Sequence, residues 1–193
     1  LLGLGRDEVR AFWKTFFDLL RSVAASEVPV AAALTGHSPA AGAVLAAFCD
    51  YRVMADGPYK VGMNEVRVGL VVPPLLQYAM KRLTGERVGE ALLVGGVMMS
   101  PREALRAGFV DAVVPGDEVV PHALAWAEAL LALPRQAMRE TRRIARADLL
   151  ARFDALDARV YDEAAERFFS PETQAALGAL AARLGRRAGG LSP

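Results

Sequence analysis

The stretch Val28 to Glu65, VPVAAALTGHSPAAGAVLAAFCDYRVMADGPYKVGMNE, sets what the rest of the chain must build around. Val28 to Leu34 is a short apolar run, β-branched at its start and stopped by Thr35-Gly36. It is expected to be a strand buried on both faces. Pro39 stands where a first helical turn tolerates proline, and Ala40, Ala41, Gly42 and Ala43 are all small. The run from Ala40 to Cys49 continues as an apolar helix. Side chains this small leave the backbone N–H groups of the opening turn uncovered. With the positive end of the helix dipole behind them, such donors suit an oxygen that gains negative charge in a reaction. Tyr51 to Ala55 and Tyr59 to Met63 read as strands around the turn Asp56-Gly57-Pro58. Glu65 follows at once, a carboxylate at a strand end in very apolar company.

Could the tract Val28 to Cys49 cross a membrane instead? It has roughly the required length of about 20 residues. Pro29, Gly36, Pro39 and Gly42 interrupt it, and a strand followed by a helix explains those breaks better. No basic region followed by an apolar run marks a signal peptide at the start, and the expectation is a soluble protein without membrane insertion. With 23 basic against 22 acidic side chains, the formal charge of +1 gives no global field to recruit nucleic acid. A single cysteine, Cys49, excludes an internal disulfide framework and a cysteine zinc cluster, and it reads as a buried thiol. No spacing suits a metal, and no P-loop or G-x-G-x-x-G supports nucleotide chemistry.

The other segments fall around this centre. Leu1 to Arg6 is expected to be a loop near the site. Asp7 is placed to cap a helix with the apolar face Val9, Phe12, Trp13, Phe16, Leu20 and Val23, read as core or subunit contact rather than ligand-binding. Pro73-Pro74 introduces a helix to Leu83, and Glu86 to Leu93 forms the next. Ser100-Pro101-Arg102-Glu103 is a capping box, Gly108 closes its helix, and Phe109 to Val114 is a last short strand. From Val119 the pattern is helical only: Val119 to Leu133, then a helix from Arg135 toward Phe169, then Thr173 to Leu184 capped by Ser170-Pro171-Glu172. Arg186 to Pro193 reads as a disordered tail. A chain of 193 residues fits one domain with a helical appendage, divided here into residues 1–118 and 119–193.

The segment GHSPAAGAVLAAFCDYRVMADGPYKVGMNEVRVGL resembles the central signature of the crotonase (enoyl-CoA hydratase/isomerase) superfamily. Its Gly-x-Asn-Glu and the proline-containing VVPPLLQYAMKRL resemble most the mitochondrial-type Δ3,Δ2-enoyl-CoA isomerase branch, and the likeness runs on through AGFVDAVVP to FFSPETQAAL. The resemblance implies an α/β fold, a spiral of ββα turns followed by a helical C-terminal region. It also implies an acyl-CoA substrate, with coenzyme A as part of the thioester and no separate cofactor, and assembly as a homotrimer or a hexamer of two trimers. Cytoplasm is the expected location, or mitochondrion or peroxisome in a eukaryote. By the same resemblance Glu65 is the acid/base, and the backbone N–H of Gly42 is one donor to the thioester oxygen. Val44, Asn64 and Leu70 are expected to line the substrate pocket.

Two departures from the family pattern matter. Hydratases of the family carry a second catalytic Glu where this chain has Val44. Their other oxyanion donor precedes the position matching Leu1, so the chain resembles a member lacking its N-terminal turn or turns. Moving a double bond from C3 to C2 of an acyl thioester needs a base at C2, donors for the enolate and an acid at C4, and one carboxyl between the two carbons can serve both. The expectation is therefore an enoyl-CoA isomerase of unsaturated fatty-acid breakdown. A hydratase or another crotonase-type chemistry such as thioester hydrolysis is the alternative, with Asp50 or Glu86 as a second carboxylate. A non-catalytic acyl-CoA-binding relative is the third reading. The bland alternatives stay beside these: Gly42 as close packing, Asn64 as a loop brace, His37 as a turn histidine bonded to backbone, His122 as a plain helix residue. Arg135, Arg139, Arg142, Arg143 and Arg146 read as a solvated face rather than a phosphate site.

Overall fold

A computed structural model describes residues 1–189, with side chains through Arg183. The helix α1 (Arg6–Ala24) leads into β1 (Ala31–Leu34), β2 (Ser38–Pro39), α2 (Ala41–Phe48), β3 (Tyr51–Ala55) and β4 (Val61–Gly62). A 3₁₀ turn at Glu65–Val68 precedes α3 (Pro74–Thr84), α4 (Glu86–Val94), α5 (Pro101–Arg106) and β5 (Ala112–Val114). After a second 3₁₀ turn at Gly116–Glu118, α6 (Val119–Leu131), α7 (Arg135–Ala145), α8 (Ala147–Asp154), α9 (Arg159–Phe168) and α10 (Pro171–Gly189) complete the chain. Two parallel sheets organise the first half: β1-β3-β5 in that order, and the short pair β2-β4. The registers Ala33↔Val53 and Val53↔Ala112 put β3 at the centre, and its buried Val53, Met54 and Ala55 pack on both sides. The α/β architecture with a helical C-terminal region is as expected.

The local signals acted where they were strong. Ser100 accepts from the amide of Glu103 while the Glu103 carboxylate accepts from the Ser100 amide at 2.7 Å, closing the capping box. Pro74 occupies the first turn of α3. Ser170 Oγ accepts from the Thr173 amide at 3.2 Å and starts α10. The core gathers Phe17, Leu20, Phe48, Met54, Met63, Leu76, Met80 and Phe109, all at most 2% exposed. Burial of side chains of this kind is worth about 1.5–3 kcal/mol each.

Several boundaries and one helix differ from expectation. The first strand is shorter than Val28 to Leu34 and only half buried, with Val28 and Ala33 exposed, because β1 lies at an edge of the described sheet and is covered by α6 on one face. The strand expected over Tyr59 to Met63 shrinks to two residues, and the one over Phe109 to Val114 to three. Pro39 sits in β2, paired with Gly62, rather than inside the helix. Gly5, not Asp7, caps α1, held by the Glu8 carboxylate at 2.7 Å from its amide.

The helix expected from Arg135 to Phe169 is three. It breaks after Asp154 and at Arg146, whose φ is −110° and whose side chain is buried. There its guanidinium donates to Asp50 at 2.8 Å, to the Phe48 carbonyl and to Ala24. Arg142 reaches Asp50 as well, at 2.8 and 2.9 Å. The arginines are thus not a uniformly solvated face, since two of them grip Asp50, just past the end of α2. The last helix continues past Leu184 to Gly189, so the tail expected from Arg186 begins within it, and its final residues 190–193 lie outside the described residues. The late helices pack onto the first half: α6 on β1 and β3, α8 on α1 and α3, and α9 on α1.

Candidate active site

Glu65 is held by its neighbours on both sides. The strand β4 runs against the segment around Met99, and at Gly62 an added Cβ would stand 2.3 Å from the Val97 carbonyl oxygen, so the approach admits only glycine. Met63 is buried next, and the 3₁₀ turn then begins at Glu65 itself. Gly69 ends that turn at φ +73°, a left-handed conformation, and its carbonyl accepts from Thr173 Oγ1 of α10 at 2.9 Å. Leu70 N donates to the Glu65 carbonyl at 3.1 Å, and Arg67 Nε to the Gly96 carbonyl at 2.6 Å. The turn is therefore pinned at three points, and Glu65 has little room to reorient.

Glu65 is 8% exposed, and its Oε2 is buried with no hydrogen-bond partner. Burial pushes the Glu65 pKa above the ordinary carboxylate range, and a hydrogen bond from its own backbone amide offsets this only in part. The side chain borders a cavity of about 170 Å³. Apolar side chains make up nearly all the rest of the wall: Phe12, Trp13 and Phe16 from α1, Val44 from α2, Leu70 and Leu76. The indole Nε1 of Trp13 is also buried and without a partner. An apolar cavity of similar size, roughly 150 Å³, accepts a benzene ring, so a short length of acyl chain fits.

The start of α2 meets the same cavity. Ala40 has φ +48° and ψ −117°, outside helical space, and its carbonyl accepts from Val44 N at 2.8 Å as the first helical bond. The amides of Ala41 and Gly42 have no backbone acceptor among the described residues. They are the uncovered donors that the small residues implied. Ala40 and Ala41, and not Gly42, border the cavity; a Cβ at Gly42 would stand 2.5 Å from Ser38 Oγ. At the other end of α2, guanidiniums cap the carbonyls: Arg146 holds Phe48 and Arg52 holds Cys49 at 2.9 Å.

The structure thus brings Glu65, Val44 and Leu70 together with the first turn of α2. Asn64 is not brought in. Asn64, just ahead of the 3₁₀ turn, instead borders a groove shared with Arg67 and with Ala176, Leu180 and Arg183 of α10. Neither alternative carboxylate reaches the cavity: Asp50 is engaged by Arg142 and Arg146, and Glu86 is an exposed partner of Lys81. His37 Nδ1 accepts from Lys60 N at 3.1 Å, which is the turn role expected for it. His122 lies 3.0 Å from the Tyr51 hydroxyl, and Cys49 is buried, which pushes its thiol pKa up. Among the described residues no cluster of His, Cys, Asp and Glu has the makings of a metal site, and no helix is long and apolar enough to cross a membrane.

The aromatic wall from α1 was missed by sequence reasoning, which took its stripe for core or subunit contact. The contribution of α9 was missed as well, where Ala164 and Arg167 reach the cavity from about a hundred residues away in sequence. The 3.6 period found the stripe of α1 but says nothing of what it faces, and α9 carries no motif.

Comparison with known proteins supplies the context. A family model described as "Enoyl-CoA hydratase/isomerase" matches residues 3–174. The mitochondrial enoyl-CoA delta isomerase 1 of Mus musculus is 40% identical over 143 residues, covering 72% of this chain and 50% of the relative. A probable enoyl-CoA hydratase of Mycobacterium avium is 35% identical over 63% of this chain and 47% of the relative. The crystal structure of human mitochondrial delta3-delta2-enoyl-CoA isomerase superposes with a TM-score of 0.90 at 28% identity, covering 96% of this chain and 72% of that one. The chain spans about half the length of the curated relatives it matches.

Proposed function

The chain belongs to the enoyl-CoA hydratase/isomerase family, and from that premise we propose that it acts on acyl-CoA thioesters as an enoyl-CoA isomerase, converting a 3-enoyl-CoA to the 2-trans isomer. One observation carries this reading: a single carboxyl, its Oε2 buried and without a partner, faces an apolar cavity that no other carboxylate among the described residues borders.

Glu65 in its ionised form removes a proton from C2 of the thioester. The electron pair moves through the carbonyl to its oxygen, and the enolate is held by amides at the first turn of α2. The resemblance assigns that donor to Gly42. The lining of the cavity by Ala41, whose amide also lacks a backbone acceptor, brings the Ala41 N–H into the same role. The enolate then collapses, C4 takes the proton from the now neutral Glu65, and the double bond lies between C2 and C3. A carboxyl whose pKa is raised by its apolar surroundings is a stronger base when ionised and stays protonated long enough to act as the acid. Val44, 1% exposed, leaves no polar group to hold a water against the double bond, which disfavours hydration.

Glu65→Gln is expected to abolish turnover of 3-enoyl-CoA while acyl-CoA binding stays nearly unchanged. Retained turnover removes Glu65 from the mechanism. Hydration of a 2-enoyl-CoA faster than isomerisation of a 3-enoyl-CoA by the same preparation would favour the hydratase reading. Binding without either reaction would favour a non-catalytic acyl-CoA-binding relative. Assembly as a trimer, or as a hexamer of two trimers, belongs to the same proposal. It is supported by the large apolar side chains that the late helices leave exposed, among them Leu124, Leu131 and Ile144.

A further inference from the structure

Two ionisable side chains border the cavity, and they carry opposite charges. Glu65 accounts for one. The other is Arg167, on the face of α9 that also contributes Ala164. Arg167 forms no ion pair and no side-chain hydrogen bond with the described residues, and it lies more than 4 Å from the Glu65 carboxylate, which has no ion pair either. This is not for want of a partner. Glu163 stands one helical turn earlier, in the Glu-before-Arg order that favours pairing on a helix surface, yet the two do not pair. The neighbouring cations behave differently: Arg10 is bound to Asp162, Arg159 to Asp157 and Arg6 lies over the Phe169 ring. Arg167 is an exposed guanidinium left over at the rim of an otherwise apolar wall.

From this arrangement we propose that Arg167 is a specificity-determining residue that recognises an anionic group at the far end of the acyl chain, so that the preferred substrates are acyl-CoA thioesters bearing an ω-carboxylate. The inference rests on the acyl-CoA reading of the cavity and adds the class of acyl chain. A guanidinium fork matches a carboxylate in two parallel hydrogen bonds, a contact that an alkyl terminus cannot make. The phosphates of coenzyme A are poorly placed for the same contact. The pantetheine arm separates them from the thioester by far more than the width of a cavity this small, and Glu65 fixes the reacting carbons inside it. Glu65 and Arg167 line one cavity, so a chain held with C2 and C4 at Glu65 has Arg167 within the same walls.

The test is calorimetric titration of the protein and of Arg167→Gln with four non-reacting saturated thioesters: hexanoyl-CoA, octanoyl-CoA, adipoyl-CoA and suberoyl-CoA. The expected result is that Arg167→Gln weakens at least one of the two ω-carboxylated ligands about three- to fivefold, the upper part of the range for an exposed ion pair. The plain acyl ligands should be unaffected, and Arg167→Lys should recover part of the loss. Equal affinities of the two proteins for all four ligands overturn the proposal. An equal loss for all four also overturns it, and assigns Arg167 to the CoA moiety. Failure of the unaltered protein to bind even hexanoyl-CoA is a different outcome, which overturns the acyl-CoA reading and this inference with it. Tight hexanoyl-CoA binding without discrimination by Arg167 overturns this inference alone.

Discussion

A carboxyl kept without a partner in an apolar wall is a cost to folding, and removing it should make the protein more stable while making it inert. Consider Glu65→Leu. The leucine is similar in size and meets Leu70, Leu76 and Val44 around the same cavity. Glu65 Oε2 is buried and unbonded, a situation that costs about 1–3 kcal/mol. Relief of that cost should stabilise the chain by about 2 kcal/mol, or about 4–8 °C in Tm for a domain of this size. The pH dependence gives the sign a second check. Because the folded-state pKa of Glu65 is raised by burial, the folded chain binds more protons than the unfolded one between the ordinary carboxylate range and the raised value. The ionisation part of the penalty is absent below the ordinary range, where both states are protonated. It grows as pH rises through that window and is complete above the raised value. The gain from Glu65→Leu should therefore be larger at about pH 8 than at about pH 5. Urea denaturation followed by circular dichroism at the two values measures it, with m unchanged. A loss of stability, or a gain that is the same at both pH values, would refute the picture of a desolvated, unpaired carboxyl.

Other perturbations follow from the same structure. Val44→Glu places a second carboxyl in the apolar wall beside Glu65 and should destabilise the fold by about 2–4 kcal/mol, more at high pH than at low. Thermal melts across pH read this, and a pH-independent result would mean that water already fills the cavity. Arg146→Met breaks contacts to Asp50, Phe48 and Ala24 at once and should cost about 3–5 kcal/mol, measured by denaturant titration. A cost within experimental error would show that Arg142 alone holds Asp50.

Much of the site could be read from the chain because its parts are close in sequence. The strand-turn-helix ahead of Gly42 and the carboxylate after β4 lie within one stretch of small and apolar residues, and turn and capping chemistry there is local. The Ser100 capping box and the proline start of α3 were legible for the same reason. What escaped reading depends on distance or on fine register. A 3₁₀ turn that begins at Glu65 rather than Asn64 sends two adjacent polar residues to different grooves, and no periodicity in the sequence fixes that offset. Arg146 sits in a run of arginines that looks solvated until Asp50, nearly a hundred residues earlier, is seen beneath it. The helix breaks at that buried arginine, whose partners Ala24, Phe48 and Asp50 are all distant in sequence, a tertiary setting that local propensity does not carry. Phe12, Trp13 and Phe16 were found as a stripe, but the stripe faces a cavity only once α2, α9 and the 3₁₀ turn are folded against it.

The central claim is that one carboxyl in an apolar cavity carries the proton from C2 to C4. The most direct measurement supplies a 3-enoyl-CoA deuterated at C2, in ordinary water, and follows the label by mass spectrometry of the 2-enoyl product at low conversion. The account predicts that part of the deuterium lost from C2 reappears at C4 and that no hydrated product accumulates. Complete loss of the label to water together with a 3-hydroxyacyl product would contradict it.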